Sequence, residues 1–361
     1  MSRVINACKQ MTTSSSDAQR QTSSIVARQS QPLLIAFTTV PSVTDVNDWN
    51  TTHSPTFAHW SRLLPVVQPV LFVVESQRSQ PWITAAKRHG FLILNVPTLR
   101  NGAPILRDMF LRIEQMRQRP VFVAYFKHDV LFSYDLIETL MLVNNQRRAE
   151  NLTRGVLLVG QRSPVLIRSR KHGAASHSDD VTCVPLKLAI LARNGYDVNS
   201  LDYFITFRNM FPWQRVPDLV VNTPGYEEWL VAMAAIWNVS VIDASQGVTA
   251  LHYVTPKSRS NFNWLSPTSC DNYDITDSFK YSSLTPQCAT RYVTTRFQQN
   301  CFQNCLSVES RSANMNECTD VSRRLEVTLA STLFRIFPRV STMSNCELIA
   351  RQQKAKVQWL V

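Results

Sequence analysis

Val121-Phe-Val-Ala-Tyr-Phe-Lys-His-Asp-Val-Leu-Phe132 is the stretch on which the reading of this chain turns. Its first half is a short apolar run rich in β-branched and aromatic residues, which predicts a buried strand. The run stops at Lys127, His128 and Asp129, and apolar residues then resume. A carboxylate at the end of a buried strand is well placed for chemistry, because open α/β sheets bind ligands outside the carboxyl ends of their strands. The plain alternative is that Asp129 caps a turn. The neighbouring stretches decide between the two.

Upstream, Leu33 to Val40 reads as a first strand stopped by Pro41. Phe57 to Leu64 predicts a helix that turns Phe57, Trp60 and Leu64 inward. Pro69 to Glu75 and Phe91 to Val96 are further strands, separated by a helix from Gln80 to His89 with Pro81 in its first turn and Gly90 at its end. Pro104 to Gln118 carries Ile105, Met109, Ile113 and Met116 near one helical face. Downstream, Tyr134 to Arg147 repeats that periodicity, and Gly155 to Gly160 is another strand. Strand and helix alternate at βαβ spacing, which predicts a mostly parallel sheet with right-handed crossovers.

The second half supplies more candidate chemistry. Leu201 to Arg208 predicts a strand, with Asp202 at its start, where it reads as a loop cap. Leu219 to Leu230 passes from a strand through Pro224-Gly225 into a helix opened by Glu227 and Glu228. Acids suit a helix N-terminus through the dipole alone, so at least one of them has a structural reading. Val239 to Ala244 ends in Asp243, also readable as a cap, and Gly247 to Tyr253 carries His252. Val165 to Asp180 reads as a basic surface loop holding His172 and His177, followed by a helix from Pro185 to Arg193.

In this order the parts resemble nucleotide-sugar glycosyltransferases of the GT-A fold, and more narrowly nucleotide-diphospho-sugar-transferase-like proteins. The resemblance rests on Phe126-Lys-His-Asp-Val-Leu131, Val159-Gly-Gln-Arg162, Asp202-Tyr-Phe-Ile-Thr-Phe207, Pro224-Gly-Tyr-Glu-Glu-Trp-Leu230, Val241-Ile-Asp-Ala244 and Thr249-Ala-Leu-His252. It covers about Leu33 to Tyr253. It implies a Rossmann-like, mostly parallel central sheet flanked by helices. It also implies a nucleotide-sugar donor, and an Asp-x-Asp motif that holds Mn²⁺ or Mg²⁺ on the donor diphosphate. Asp129 matches the metal-binding acid of that motif. Lys127 stands where the first acid would be, and His128 lies between them. Glu227 or Glu228 matches the acid that orients the acceptor or acts as base. His252 matches a late histidine that reaches the metal or diphosphate.

The chemistry asks for these residue types. A departing nucleoside diphosphate concentrates negative charge, and hard divalent cations bound by carboxylate oxygens stabilise it. Imidazole adds a nitrogen ligand for Mn²⁺, and a glutamate serves as base toward a sugar hydroxyl. Arg162 and Arg208 are candidate phosphate contacts. Lys127 has a second reading, as a fixed charge in place of a metal.

Composition bounds these readings. The 361 residues are 44% hydrophobic and 18% charged, which is globular. A formal net charge of +12 favours an anionic partner. The arginines are scattered along the chain, without the aromatic-interleaved basic repeats of nucleic-acid binders, so a nucleic-acid role is not supported. No run is long enough to span a bilayer, and no apolar signal region follows the first basic residues. Six of the eight cysteines, Cys270, Cys288, Cys301, Cys305, Cys318 and Cys346, fall in the last part of the chain, which favours disulfides over zinc. With sequons at Asn50, Asn151 and Asn238 they fit a secretory route or Golgi lumen.

Three regions are therefore expected: a Ser/Thr/Gln-rich tail over 1–31 that reads as disordered, a GT-A-like domain over 32–254, and a cysteine-bearing accessory region over 255–361. The last includes an apolar helical stripe at Leu325, Leu329, Leu333 and Ile336. The leading function is hexosyl transfer from a nucleotide-sugar to a glycan, protein or lipid acceptor. The alternatives are a catalytically inactive GT-A-like domain that binds nucleotide or glycan, and a basic interaction protein.

Overall fold

The structure is a computed structural model that describes residues 31–40, 54–78, 80–150, 154–166, 201–223, 225–254, 291–297 and 304–310, with Asn272 and Ala289. The expected N-terminal tail, the loop holding His172 and His177, the 185–193 and 325–337 helices, and every cysteine except Cys305 lie outside the described residues.

The elements are β1 (Leu34–Thr39), α1 (Ser54–Trp60), β2 (Val67–Val73), α2 (Pro81–Arg88), β3 (Leu92–Asn95), β4 (Leu99–Arg100), β5 (Ala103–Pro104), α3 (Leu106–Glu114), β6 (Phe122–Phe126), β7 (Val130–Phe132), α4 (Asp135–Ala149), β8 (Val156–Gly160), β9 (Ser163–Leu166), β10 (Tyr203–Phe207), α5 (Tyr226–Ile236), β11 (Ser240–Asp243), β12 (Ala250–Val254), β13 (Arg291–Phe297) and β14 (Asn304–Ser310). The main sheet has nine strands in the order β14-β13-β11-β8-β10-β6-β1-β2-β3. β1, β2, β3 and β6 run parallel to one another, as do β8 and β11. The expectation of a mostly parallel α/β sheet holds. It needs one correction: β10 is antiparallel to both β6 and β8. β13 and β14 lie beyond residue 254, and they add to the edge of this same sheet.

Strands covered on both faces are buried throughout and mostly apolar. β1, β6, β8 and β10 are buried at every position. Successive side chains alternate between two cores. Leu34, Ala36, Phe122, Ala124 and Phe126 pack with α1, α2 and α4, while Ile35, Phe37, Val123 and Tyr125 pack with α3 and α5. Both α2 and α3 bury one stripe, Trp82, Ile83 and Ala86 in the first and Leu106, Met109, Phe110 and Ile113 in the second. Among the described residues no helix is long and apolar enough to cross a membrane.

A second sheet of three strands, β7-β12-β9, stands past the ends of β6 and β8. It is tied down from α1. The Trp60 indole N–H donates to the Val130 carbonyl at 2.8 Å, and the His59 ring nitrogen meets the Phe132 carbonyl. Burial lowers the pKa of His59, which keeps the imidazole neutral there. The Leu219 to Val221 stretch, expected as a strand, makes only an isolated bridge between Val220 and Ile105.

Gly160, the last residue of β8, has no room for a side chain. A Cβ there would meet the Tyr203 hydroxyl at 1.8 Å and its ring carbon Cζ at 2.2 Å. The Tyr203 ring is itself fixed edge-on against Phe126 and Phe132. Gly160→Ala is therefore expected to cost ~1–3 kcal/mol through overpacking. Urea unfolding followed by circular dichroism measures this; an unchanged midpoint would show that Tyr203 can move.

Candidate active site

β10 enters the sheet from the edge where β6 and β8 leave it. Its first residues therefore sit between the last residues of those two strands. Tyr203 pairs with Phe126 on one side and Gly160 on the other. One residue earlier, the Asp202 N–H donates to the Gly160 carbonyl at 3.1 Å, and the Asp202 carbonyl accepts from the Lys127 N–H at 3.1 Å. The backbone thus places Asp202 between Lys127 and the Gln161–Arg162 turn.

The side chains follow. Asp202 is fully buried. Its carboxylate takes Lys127 Nζ at 3.1 Å and an Arg162 Nη1 contact at 3.1 Å. Lys127 also reaches Glu227 at 2.7 Å, and Arg162 lies 4.0 Å from Asp129. Asp129 in turn meets His252 Nε2 at 2.7 Å. The result is one interleaved line, His252–Asp129–Arg162–Asp202–Lys127–Glu227, running across the strand-end edge.

The small sheet explains how a histidine more than a hundred residues downstream arrives here. His252 pairs with Val130 in the antiparallel β7–β12 ladder, directly after Asp129, and with Pro164 in the parallel β12–β9 ladder. The β12 end is fixed by Asp135, which accepts the Thr249 N–H at 3.0 Å and the Thr249 hydroxyl at 2.6 Å.

Glu227 and Glu228 come from the first turn of α5. That helix is entered through Gly225 at φ 98°, a left-handed conformation that favours glycine. Tyr226 packs edge-on against Tyr125 of β6, which pins the helix start beside Lys127. The loop before it is held by Asn272. Its side-chain amide accepts the Val220 N–H at 2.8 Å and donates to the Val220 carbonyl at 2.9 Å and the Thr223 hydroxyl at 2.7 Å.

Electrostatics sort these groups. Burial opposes the charge on Lys127, but Asp202 and Glu227 outweigh it and raise its pKa, so the ammonium is retained. Burial likewise opposes ionisation of Asp129, yet His252, His128 and Arg162 hold its carboxyl well below the usual range. Burial lowers His128. Glu228 behaves oppositely to Asp129: burial, and then repulsion from Glu227, push its carboxyl up to about 7.

The sequence-predicted residues are therefore mostly assembled. Lys127, Asp129, Arg162, Glu227 and His252 join one network, while His128 and Glu228 lie within electrostatic range of it. Arg208 is the exception. It ends β10, and because β10 runs backwards that end lies at the opposite edge. There the Arg208 N–H meets Val121 and its guanidinium meets the Glu114 and Met116 carbonyls. A phosphate contact from Arg208 belonged to a parallel β10. Asp243 keeps its reading as a cap, accepting the Ser245 N–H at 3.0 Å. Asp202 was read as a cap too, and instead joins both halves of the network. Its one signal in the sequence is its place at the head of an aromatic strand, and that matters only once the strand is known to be reversed.

Among the described residues no group of three or more His, Cys, Asp or Glu could hold a metal ion. The donor set present is one acid and one imidazole. Asp129 Oδ2 faces His252, and its buried Oδ1 makes no hydrogen bond among the described residues. A carboxylate oxygen without a hydrogen bond, beside an imidazole, fits a divalent cation whose remaining ligands come from a diphosphate once Arg162, 4.0 Å away, turns aside.

No family model and no curated relative matches the chain. Among solved structures it is similar to the glucosyl-3-phosphoglycerate synthase of Mycobacterium tuberculosis in complex with Mn²⁺, UDP and phosphoglyceric acid. The identity is 12% over 80% of this chain and 89% of that one, at a TM-score of 0.36. A nucleotide-diphospho-sugar transferase candidate from Desulfovibrio desulfuricans G20 gives 10% identity over 69% and 98%, at 0.32. S. aureus TarS 1-349 in complex with UDP gives 8% over 40% of this chain and 39% of that one, at 0.26. Likenesses this loose bear no argument about residues or chemistry.

Raising the Glu228 pKa on folding makes the folded state the stronger proton binder between about pH 4.5 and 7. Stability therefore falls as pH rises through that window. Glu228→Gln is expected to remove this slope and to exceed the wild type by up to ~3 kcal/mol above pH 8. Urea titrations at pH 5 and pH 8 measure the difference; parallel pH dependence in both proteins would show that Glu228 titrates as an ordinary glutamate.

Proposed function

We propose that this chain binds a nucleotide-sugar donor at the strand-end edge and transfers the sugar to an acceptor hydroxyl. The observation that carries this reading is the continuous line from His252 and Asp129 to Lys127 and Glu227. It sets a diphosphate-type subsite and an acid-bearing helix start against each other in one cluster. In this reading Arg162 contacts the diphosphate, turning from Asp202 toward the ligand. Lys127 holds Glu227 in place. Glu228 accepts the proton of the attacking hydroxyl, since a carboxyl with a pKa of about 7 is matched to that task. A single displacement with such a base favours inversion at the sugar carbon. Asp129 and His252 would hold Mn²⁺ or Mg²⁺, whose charge stabilises the departing diphosphate. The acceptor, whether glycan, protein or lipid, is the open half of this proposal.

One observation favours the second reading, a domain that binds nucleotide or glycan without transfer. Lys127 replaces the first acid of the motif and is tied to Glu227 rather than left for a ligand.

Calorimetric titration with UDP-sugars and GDP-sugars, with and without Mn²⁺, tests donor binding. Heat is expected for at least one donor and is expected to increase with the metal; no response under any condition overturns sugar transfer and nucleotide binding alike. Asp129→Ala is expected to lose the metal-dependent part, about tenfold or more in affinity, while Arg208→Gln stays near the wild type. If a donor binds, turnover decides between the readings. Transfer should rise with pH through about 7, and Glu228→Gln should lower kcat by about 10²–10⁴. Donor binding without turnover leaves the binding domain.

A further inference from the structure

The arginines that look scattered in the sequence are gathered by the fold. In a parallel sheet the helices return the chain to the edge where strands begin, so helix ends and the following turns collect there. Lys87 and Arg88 close α2 just ahead of β3. Arg112 lies in the last turn of α3, and Arg117 and Arg119 fill the turn into β6. Arg148 closes α4, and Arg154 precedes β8. All of these are exposed. The acids described at this edge are already engaged: Glu114 accepts the Asn209 N–H at 2.9 Å, and Glu150 pairs with Arg291 at 2.9 Å. Cations in a last helical turn are favoured by the helix dipole alone. That accounts for Lys87, Arg88, Arg112 and Arg148. It does not account for Arg117, Arg119 and Arg154, which lie in turns.

The opposite edge has the other polarity. It holds Asp129, Asp202, Glu227 and Glu228, with Lys127 and Arg162 neutralised among them. Among the residues named, the two sheet edges differ in charge.

We infer that the strand-start edge is a docking face for an anionic phospholipid membrane, which turns the candidate active site away from the bilayer. The cations come from turns on both helical layers, so they cover an end of the molecule rather than line a groove. That spread fits a flat anionic surface better than a threaded strand. Single-stranded nucleic acid is normally gripped by exposed aromatic rings. Among the described residues the exposed large apolar side chains are Leu99 and Met141, with no aromatic ring. With so little exposed apolar surface among the described residues, the attachment proposed is electrostatic and reversed by salt.

Co-sedimentation of the full chain with vesicles of phosphatidylserine and phosphatidylcholine tests this, beside vesicles of phosphatidylcholine alone. Binding is expected to the first and not the second, and is expected to be lost by 0.5 M salt. The paired variants Lys87→Gln/Arg88→Gln and Arg117→Gln/Arg119→Gln should each weaken it roughly tenfold or more, since each basic residue near the surface contributes. These side chains are exposed, and circular dichroism checks that the variants fold. The inference is overturned if vesicles are ignored, if both pairs bind like the wild type, or if heparin or single-stranded RNA is bound in preference to the vesicles. None of these outcomes bears on donor binding, which is read separately by calorimetry.

Discussion

A fully buried carboxylate shared by two cations organises the candidate site. Asp202 cannot stay ionised at zero exposure without compensation, because taking a lone charge out of water costs several kcal/mol. Lys127 and Arg162 supply that compensation at 3.1 Å each. The arrangement is reciprocal. Without Asp202, Lys127 would keep only Glu227 among these contacts, and Arg162 would have Asp129 at 4.0 Å as its next anion. Asp202 thus holds Arg162 closer than Asp129 does, and among the described residues Asp129 Oδ1 accepts no hydrogen bond. The two ends of the network are coupled through one residue that itself touches neither Asp129 nor Glu227.

That coupling depends on one topological departure. If β10 ran parallel to β6, its head would lie at the far edge and Asp202 would face Arg117 and Arg119. The reversal brings Asp202 to the strand ends and sends Arg208 away. The same logic governs the small sheet. β7 begins one residue after Asp129, and its antiparallel register with β12 sets His252 opposite Val130. A slip of one residue would turn His252 to the other face. The contacts of Trp60 and His59 with the Val130 and Phe132 carbonyls hold β7 from the other side and guard that register.

These two features mark the limit of what the sequence discloses. Element identity is local information. Leu33 to Val40, Phe91 to Val96 and Gly155 to Gly160 announce β1, β3 and β8 through apolar runs, and the stripe of Met109 and Ile113 announces α3. Asp129, Glu227 and His252 are legible because each ends or begins such an element. Strand direction is not local. Nothing in Tyr203 to Phe207 records that the chain enters from the opposite edge, since a strand buried on both faces reads the same in either sense. The places of Asp202 and Arg208 in the fold are therefore hidden together, by one cause. The charge pattern failed to show for a related reason: Lys87, Arg117 and Arg154 are far apart in sequence, and only the parallel crossovers set them on one edge.

The same charges bear on whether Lys127 can stand in for a metal. Its ammonium is held charged, but by Asp202 and Glu227, which already neutralise it. Three carboxylates, Asp129, Asp202 and Glu227, stand against Lys127, Arg162 and the His252 imidazole, and Glu228 adds negative charge as it loses its proton. In the proposed function a nucleoside diphosphate would add further negative charge to that edge. In a partly buried site such repulsion is worth kcal/mol rather than tenths. Arg162 can turn toward the phosphates, but Asp202 would then be left with Lys127 alone. An additional positive charge between the ligand and the pair Asp129 and His252 removes the conflict without disturbing Asp202. The replacement of the first acid by Lys127 therefore does not argue for a metal-free site. Lys127 answers the burial of Asp202 and positions Glu227.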